Sequence, residues 1–189
     1  QGRVTAGDNV VVIGAGGIGF DVSEFLVYSN AATPETPDLT HWLKEWGVGD
    51  PEEIRGGLLV EGPQPAAPAR NVTLLQRKAE RPGKRLGKTT GWIHRSTLKM
   101  KGVKMIGGVN YEEITEEGLR VSHGEARENP SVIPADTIVL CAGQLSERSL
   151  ADELIANGIE PHVIGGADVA AELDAKRAID QGVRLALSL

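Results

Sequence analysis

Three glycines near the amino terminus have the spacing of a dinucleotide-binding turn. Gly14, Gly16 and Gly19 follow a β-branched run at 9–13 and open a segment whose apolar residues have helical spacing. The first glycine of such a turn allows the sharp bend, the second lets the backbone approach a pyrophosphate, and the third lets helix and strand pack closely. Amides at the helix start, including that of Gly17, then face the phosphates. This context favours nucleotide binding over a glycine turn without a ligand.

A basic pair follows the second predicted strand, residues 72–75, where dinucleotide-binding domains ordinarily carry an acid. A carboxylate there accepts from the ribose hydroxyls and repels a 2′-phosphate. An arginine can instead hold that phosphate through a charge-assisted fork. Arg77 and Lys78 therefore favour NADP(H) over NAD(H) as the bound nucleotide, and the alternative is a solvated basic loop.

These residues need a scaffold, and the pattern of the chain predicts one. Alternation of apolar runs and helical segments is typical of a Rossmann-like α/β fold, a doubly wound parallel sheet covered on both faces. Six prolines between residues 34 and 68 indicate a surface insertion at about 30–70. The predicted strands are 9–13, 72–75, 104–106, 137–142 and 162–165, the helices 20–28, 39–46, 89–100, 148–157 and 169–187, and a small antiparallel β-meander covers 110–133.

Composition narrows the class of protein. The 189 residues are 40% apolar and 24% charged with a net charge of −6, and no apolar run is long enough to span a membrane. We therefore expect neither a membrane protein nor a nucleic-acid binder. The single cysteine, Cys141, excludes a disulfide framework or a four-cysteine metal site within these residues and suits a reducing cytoplasm. No signal peptide is recognisable, and a start at Gln1 suits a fragment of a larger protein.

Four further side chains are of types that can take part in catalysis or binding. Cys141 lies in an apolar run with no second cysteine, which favours core packing over a redox role. His94 and Arg95 could line the nucleotide cleft or serve packing. Ser23 lacks the context of a nucleophile elbow, so hydrolase chemistry has no support. We expect no catalytic residue and no metal ligand in this chain.

Several longer stretches resemble the bacterial NADPH-dependent 2,4-dienoyl-CoA reductases, which are old yellow enzyme-like multidomain flavoproteins. The run LGKTTGWIHR at 86–95 is far more specific than any glycine motif. The resemblance covers nearly the whole chain, including the proline-rich insertion, and rests on residues 12–21, 75–78, 86–95, 102–106, 141–144 and 164–179. Ala142 and Gly143 fall in one of these stretches and are counted among the cofactor-binding residues.

The resemblance implies a domain organisation. Members of that family have an N-terminal flavin barrel with FMN, a [4Fe-4S] cluster, and an FAD domain into which an NADP domain is inserted. By this resemblance residues 1–160 are the NADP-binding domain, of the two-dinucleotide-binding flavoprotein type, and 161–189 are the last segment of a split FAD domain. The barrel and the first part of the FAD domain would be partners within one polypeptide.

The resemblance also implies a function. Electrons would pass from NADPH to FAD, through the cluster to FMN, and then to an unsaturated acyl-CoA of fatty-acid oxidation. Because the barrel is not part of this chain, we expect the isolated chain to be inactive on the acyl-CoA. The alternatives are the same architecture acting on another alkene or an amine, and a non-catalytic dinucleotide-binding module.

Asp168 receives its role from the resemblance as well. Flavoproteins of this type use an aspartate just past a strand to hold a flavin ribityl hydroxyl, and the following helix points its N-terminus toward the flavin. The alternative is that Asp168 is the N-cap of the helix predicted at 169–187.

Overall fold

A computed structural model describes residues 4–28, 38–171 and 173–189. The chain divides into two compact units, Gln1–Ala142 and Gly143–Leu189. The sequence predicts a different boundary, after residue 160, between an NADP-binding and an FAD-binding segment. That boundary stays a prediction. The elements in chain order are β1 (Asn9–Ile13), α1 (Gly17–Val27), α2 (Leu39–Trp46), β2 (Asn71–Leu75), α3 (Gly91–Met100), β3 (Lys104–Ile106), β4 (Val109–Thr115), β5 (Gly118–His123), β6 (Glu128–Pro134), β7 (Thr137–Leu140), α4 (Ser149–Ala156) and α5 (Ala175–Ser188).

A four-stranded parallel sheet is the centre of the first unit, with strand order β3-β2-β1-β7. Strand β1 is internal, and its Val12 pairs with Leu74 of β2 and Val139 of β7. A run of asparagine, three valines and isoleucine suits this position, because a parallel strand between two neighbours is buried on both faces. The predicted parallel sheet with β1 inside it is confirmed.

Alternate residues of β1 serve two different cores, as the period of two in a strand requires. Val10 and Val12 belong to a cluster that includes Phe20 of α1 and Leu98 of α3. Val11 and Ile13 belong to a second cluster, to which the meander contributes Val109, Leu119 and Val121. Both faces are therefore covered, one by helices and the other by the antiparallel sheet β4-β5-β6. The predicted α/β fold class is confirmed, and so is the meander.

The insertion contains the short helix predicted at 39–46. Asp38 accepts a hydrogen bond from the Thr40 amide at 3.0 Å and begins the helix, and Gly47 ends it in the left-handed conformation with φ 70°. Part of the predicted insertion, residues 29–37, lies outside the described residues.

The second unit corrects two predictions. Residues 162–165 form no strand, because the described part of this unit contains no other strand with which their backbone could pair. The last helix starts at Ala175 and not at 169, because Asp174 is its N-cap and accepts from the Arg177 amide at 2.8 Å.

Candidate nucleotide-binding site

The turn after β1 is shaped by Gly14. Its amide donates to the carbonyl of Leu75 at 2.8 Å, and its φ of 113° lies in a region that favours glycine. A Cβ on Gly14 would lie 2.5 Å from the carbonyl oxygen of Cys141 and 2.9 Å from the amide nitrogen of Ala142. Only glycine therefore lets the chain turn between β2 and β7.

The remaining glycines of the turn divide into two kinds. A Cβ on Gly19 would lie 1.7 Å from the carbonyl oxygen of Gly14, so this glycine is required for close packing of helix on turn. A Cβ on Gly16 or Gly17 would meet no heavy atom of the described residues within 4 Å. The backbone at these two positions borders open space, which is what a pyrophosphate would need.

The start of α1 beside this space presents amides. Gly16 is the N-cap and supplies no side-chain cap, and the first turn carries no acidic residue. The amide of Phe20 is the first to bond within the helix, to the Gly16 carbonyl at 3.1 Å. The preceding amides, those of Gly17, Ile18 and Gly19, belong to the helix end that attracts anions. The local geometry fits a phosphate.

The loop after β2 displays the predicted basic pair. The Gln76 amide bonds to the Ile106 carbonyl at 3.0 Å, which places the start of the loop beside the end of β3. Arg77 and Lys78 are both exposed. Two opposing effects act on the hydroxyl of Tyr111 on β4. Burial raises its pKa, and the positive charge of Arg77 opposes that rise.

The parallel topology brings these parts to one edge of the sheet. Strands β1, β2 and β7 all end there, so the Gly14 turn, the Arg77 loop and Ala142 lie at the same carboxyl edge. Gly143 follows Ala142 and opens the second unit with a φ of 81°. The assignment of these residues to cofactor binding stays a prediction.

Asp168 lies on a turn of the second unit. It is exposed, its Oδ2 accepts from Nε2 of Gln181 at 3.2 Å, and its carbonyl accepts from the Ser146 hydroxyl at 3.3 Å. The alternative that Asp168 is the N-cap of the last helix is wrong, because Asp174 has that role.

Four other side chains make contacts within the protein, and a position of His94 and Arg95 at the nucleotide cleft stays a prediction. The Ser23 hydroxyl is fully buried and donates to the Gly19 carbonyl at 2.6 Å, so it is not a nucleophile. Cys141 packs against the first core cluster, and burial raises the pKa of its thiol. His94 Nδ1 lies 3.4 Å from Oε2 of Glu24 and joins α3 to α1. Arg95 donates to the carbonyl of Gly83 at 2.8 Å and holds the 83–86 turn.

Two residues of this edge, Gln76 and Tyr111, are not among those that the sequence predicts for the site. The available signal for Gln76 was its position, a polar residue directly after a buried strand and before Arg77. Tyr111 gave no local signal, because it approaches Arg77 only through the packing of β4 on the sheet.

The described residues offer neither a metal site nor a membrane span. They contain no group of three or more histidine, cysteine, aspartate or glutamate side chains placed to hold a metal ion. No helix among them has both the length and the apolar character needed to cross a membrane.

A nucleotide laid along the carboxyl edge would meet the open glycines at the start of α1 and then the basic pair beyond β2. That arrangement defines a dinucleotide-binding α/β domain. The chain belongs to the pyridine nucleotide-disulphide oxidoreductase family, whose model matches residues 2–176. It is thus a dinucleotide-binding domain of that family.

Individual relatives are larger than this chain. A metal reductase of Desulforamulus reducens is 27% identical over 166 residues, which are 88% of this chain and 23% of that protein. The structure of a 2-naphthoyl-CoA reductase is similar with a TM-score of 0.61 and 21% identity, over 96% of this chain and 21% of the other. Histamine dehydrogenase from Rhizobium sp. 4-9 gives 0.64 and 18%, over 97% and 23%. The chain spans less than a quarter of the length of each, and the two structures show the fold alone.

Proposed function

We propose that this chain is the NADPH-binding part of an oxidoreductase of the 2,4-dienoyl-CoA reductase type. The observation that carries the proposal is the open glycine turn at one strand end together with Arg77 and Lys78 at the neighbouring strand end. When bound, NADPH supplies a hydride, which in this type of enzyme goes to FAD. The chain's own contribution is to bind and orient the nucleotide.

The charge of the loop after β2 favours NADPH over NADH. The position after β2 carries a guanidinium where an NAD-binding domain would carry a carboxylate, and a 2′-phosphate is a dianion that the carboxylate would repel. Arg77 can bind two of its oxygens at once, and Lys78 adds a mobile second charge. Both side chains are exposed at the edge where the adenosine ribose of a bound nucleotide would lie.

The second unit supports a role in FAD binding. Helix α5 buries none of its residues, and Ile179, Val183 and Leu187 form an exposed apolar stripe at i, i+4 and i+8. Such a stripe suits a helix that packs against the rest of a split FAD domain. Asp168 presents an exposed carboxylate that could accept from a flavin hydroxyl, which fits the role that the resemblance implies.

The substrate is inferred from the resemblance of residues 86–95, which favours an unsaturated acyl-CoA. FMN and a [4Fe-4S] cluster would then be held outside this chain, in a cytoplasmic enzyme. An amine or another alkene is the alternative substrate, and the fold neighbours include proteins named for an acyl-CoA and for histamine. The isolated chain would be inactive on any of these, since the site of substrate reduction lies elsewhere.

The test is calorimetry of NADPH and NADH against the wild-type chain and Arg77→Ala. A hydrogen bond to a charged group is worth roughly 1.5–3 kcal/mol, so the variant should bind NADPH roughly 10- to 150-fold more weakly and NADH almost unchanged. Lys78→Ala should lose less. Arg120→Ala, which removes an exposed arginine paired with Glu113 on the meander, is the matched control and should change neither affinity.

Salt gives a second measure of the same contact. Because the contact between Arg77 and the 2′-phosphate would be partly exposed to solvent, rising ionic strength should reduce the preference for NADPH over NADH. If Arg77→Ala weakens both nucleotides equally, Arg77 serves the fold or the pyrophosphate, and the NADPH assignment fails.

A further inference from the structure

We infer that Gln76 is a positioning residue for NADPH selectivity, because its carboxamide closes the loop that carries Arg77 and Lys78. This inference rests on the proposed function. The Gln76 side chain bonds to the backbone of the loop and would act through the position of the basic pair.

The closure consists of two hydrogen bonds from one nitrogen. Nε2 of Gln76 donates to the carbonyl of Lys78 at 3.0 Å and to the carbonyl of Glu80 at 2.6 Å. A carboxamide has two N–H donors, so a single glutamine can satisfy both carbonyls. The backbone from 76 to 80 is thereby bent around the Gln76 side chain, with Arg77 and Lys78 exposed on the bend.

The loop is also seated on the segment that follows β3. The Gln76 carbonyl accepts from the Val109 amide at 3.2 Å, and the Lys78 carbonyl accepts from the Gly108 amide at 3.0 Å. A Cβ on Gly107 would lie 2.5 Å from the carbonyl oxygen of Glu80, so the two segments are in contact. The Gln76 bonds therefore close a loop whose base is already held at the strand ends.

Glu80 binds two of the positively charged side chains near this loop, Lys84 and Arg85. Its carboxylate lies 3.0 Å from Nε of Arg85 and 3.5 Å from Nζ of Lys84. Two of the nearby positive charges are thus directed toward Glu80, whereas Arg77 and Lys78 remain on the bend beside the end of β2. The carbonyl of the same Glu80 is held by Gln76, so loss of this bond would loosen both groups of cations.

Selectivity depends on such order. A bidentate arginine–phosphate contact requires a defined guanidinium position, and a mobile loop would lose entropy on binding. Only NADPH carries a 2′-phosphate, so the entropy loss of a mobile loop lowers the affinity for NADPH and leaves the affinity for NADH nearly unchanged. Substitution of a residue that merely stabilised the fold would lower the affinities for NADPH and NADH equally.

The experiment measures NADPH and NADH binding by calorimetry to the full chain carrying Gln76→Ala or Gln76→Glu. We expect the ratio of the two affinities to fall about 5-fold for Gln76→Ala, the effect of roughly one net hydrogen bond. Gln76→Glu keeps the size of the side chain but replaces the donor with a negative charge, so its ratio should fall further. Asn157→Ala removes another amide-to-carbonyl bond, 2.8 Å long, and should leave the ratio unchanged.

Hydrogen exchange of residues 76–85 without nucleotide gives an independent readout. The amides of this segment should exchange faster in Gln76→Ala, while those of β1 keep the wild-type rate. An unchanged affinity ratio, or equal weakening of both nucleotides, overturns the role of Gln76. A wild-type chain that does not prefer NADPH overturns the proposed nucleotide as well, whereas a wild-type preference that survives both Gln76 variants overturns only the present inference.

Discussion

Nζ of Lys101 and Oε1 of Glu45 lie 2.7 Å apart, and the two side chains are only 3% and 10% exposed. Within the described part of the chain Oε1 has no hydrogen-bond partner of regular geometry, and its contact with Nζ is an ion pair. Lys101 also donates to the carbonyl of Ala66 at 3.2 Å and lies 4.6 Å from the ring centroid of Tyr28. One ammonium thus joins the end of α3, two parts of the insertion and the end of α1.

Breaking this pair should destabilise the first unit strongly. Glu45→Ala leaves the Lys101 charge buried without its partner, and the free energy of unfolding should fall by about 3–5 kcal/mol in denaturant titrations. Replacing both residues, Glu45→Leu with Lys101→Met, should recover most of that loss. Asp180→Ala removes the exposed partner of Arg184 and should cost less than about 1 kcal/mol. Equal losses for the buried and the exposed pair would contradict the buried ion pair.

Tyr28 should make stability depend on alkaline pH. Burial, followed by the charges of Glu45 and Glu24, raises the pKa of its hydroxyl from 10.0 to about 12. The folded state therefore holds this proton more tightly, and the resulting stabilisation is present below pH 10 and lost as the pH rises toward about 12. Tyr28→Phe cannot ionise, so its unfolding free energy should fall less steeply across that interval. All other side chains are the same in both proteins, so the difference between the two curves isolates Tyr28. Parallel curves would show that the Tyr28 proton is not linked to folding.

The glycine turn offers a pair of substitutions that separate folding from binding. Gly19→Ala puts a methyl group 1.7 Å from the Gly14 carbonyl oxygen, so the melting temperature should drop by several degrees or more. Among the residues that the structure describes, no heavy atom lies within 4 Å of the methyl group of Gly16→Ala, and the backbone keeps a negative φ, so the fold should be unchanged. If the pyrophosphate lies along this backbone, the methyl group of Gly16→Ala should still weaken NADPH and NADH together, about 10-fold or more. Full nucleotide affinity in Gly16→Ala would move the pyrophosphate away from the turn.

Asp168 should affect the flavin and leave the nicotinamide nucleotide alone. In the polypeptide that supplies the rest of the FAD site, Asp168→Ala should lower FAD content, because a carboxylate that accepts from a ribityl hydroxyl is lost. Asp168→Asn keeps one acceptor oxygen and should retain more flavin than the alanine variant. NADPH affinity, measured in parallel, should equal that of the wild type. Full FAD occupancy in both variants would leave Asp168 as no more than a partner of Gln181.

Much of the first unit could be predicted because its signals are local. A buried parallel strand requires mostly apolar residues in succession, and 9–13 and 72–75 carry them, which is why β1 and β2 lie where the sequence predicts them. The turn at Gly14 needs a backbone conformation that glycine adopts easily, so its position is visible in the residue type itself. The expected strand at 162–165 was wrong, because an apolar segment forms a strand only where a neighbour completes its hydrogen bonds. The start of the last helix was predicted too early, because Asp174 is its N-cap.

The finer tertiary contacts, in the site and elsewhere, depend on residues far apart in the chain. Lys101 and Glu45 are 56 positions apart, and the residues around each of them do not indicate that the two side chains are buried together. The Tyr111 phenol meets the field of Arg77 only because β4 packs across the ends of β2 and β3. Propensity and periodicity describe one element at a time, whereas these contacts arise from the packing of several elements, so tertiary structure alone determines which side chains surround the basic pair.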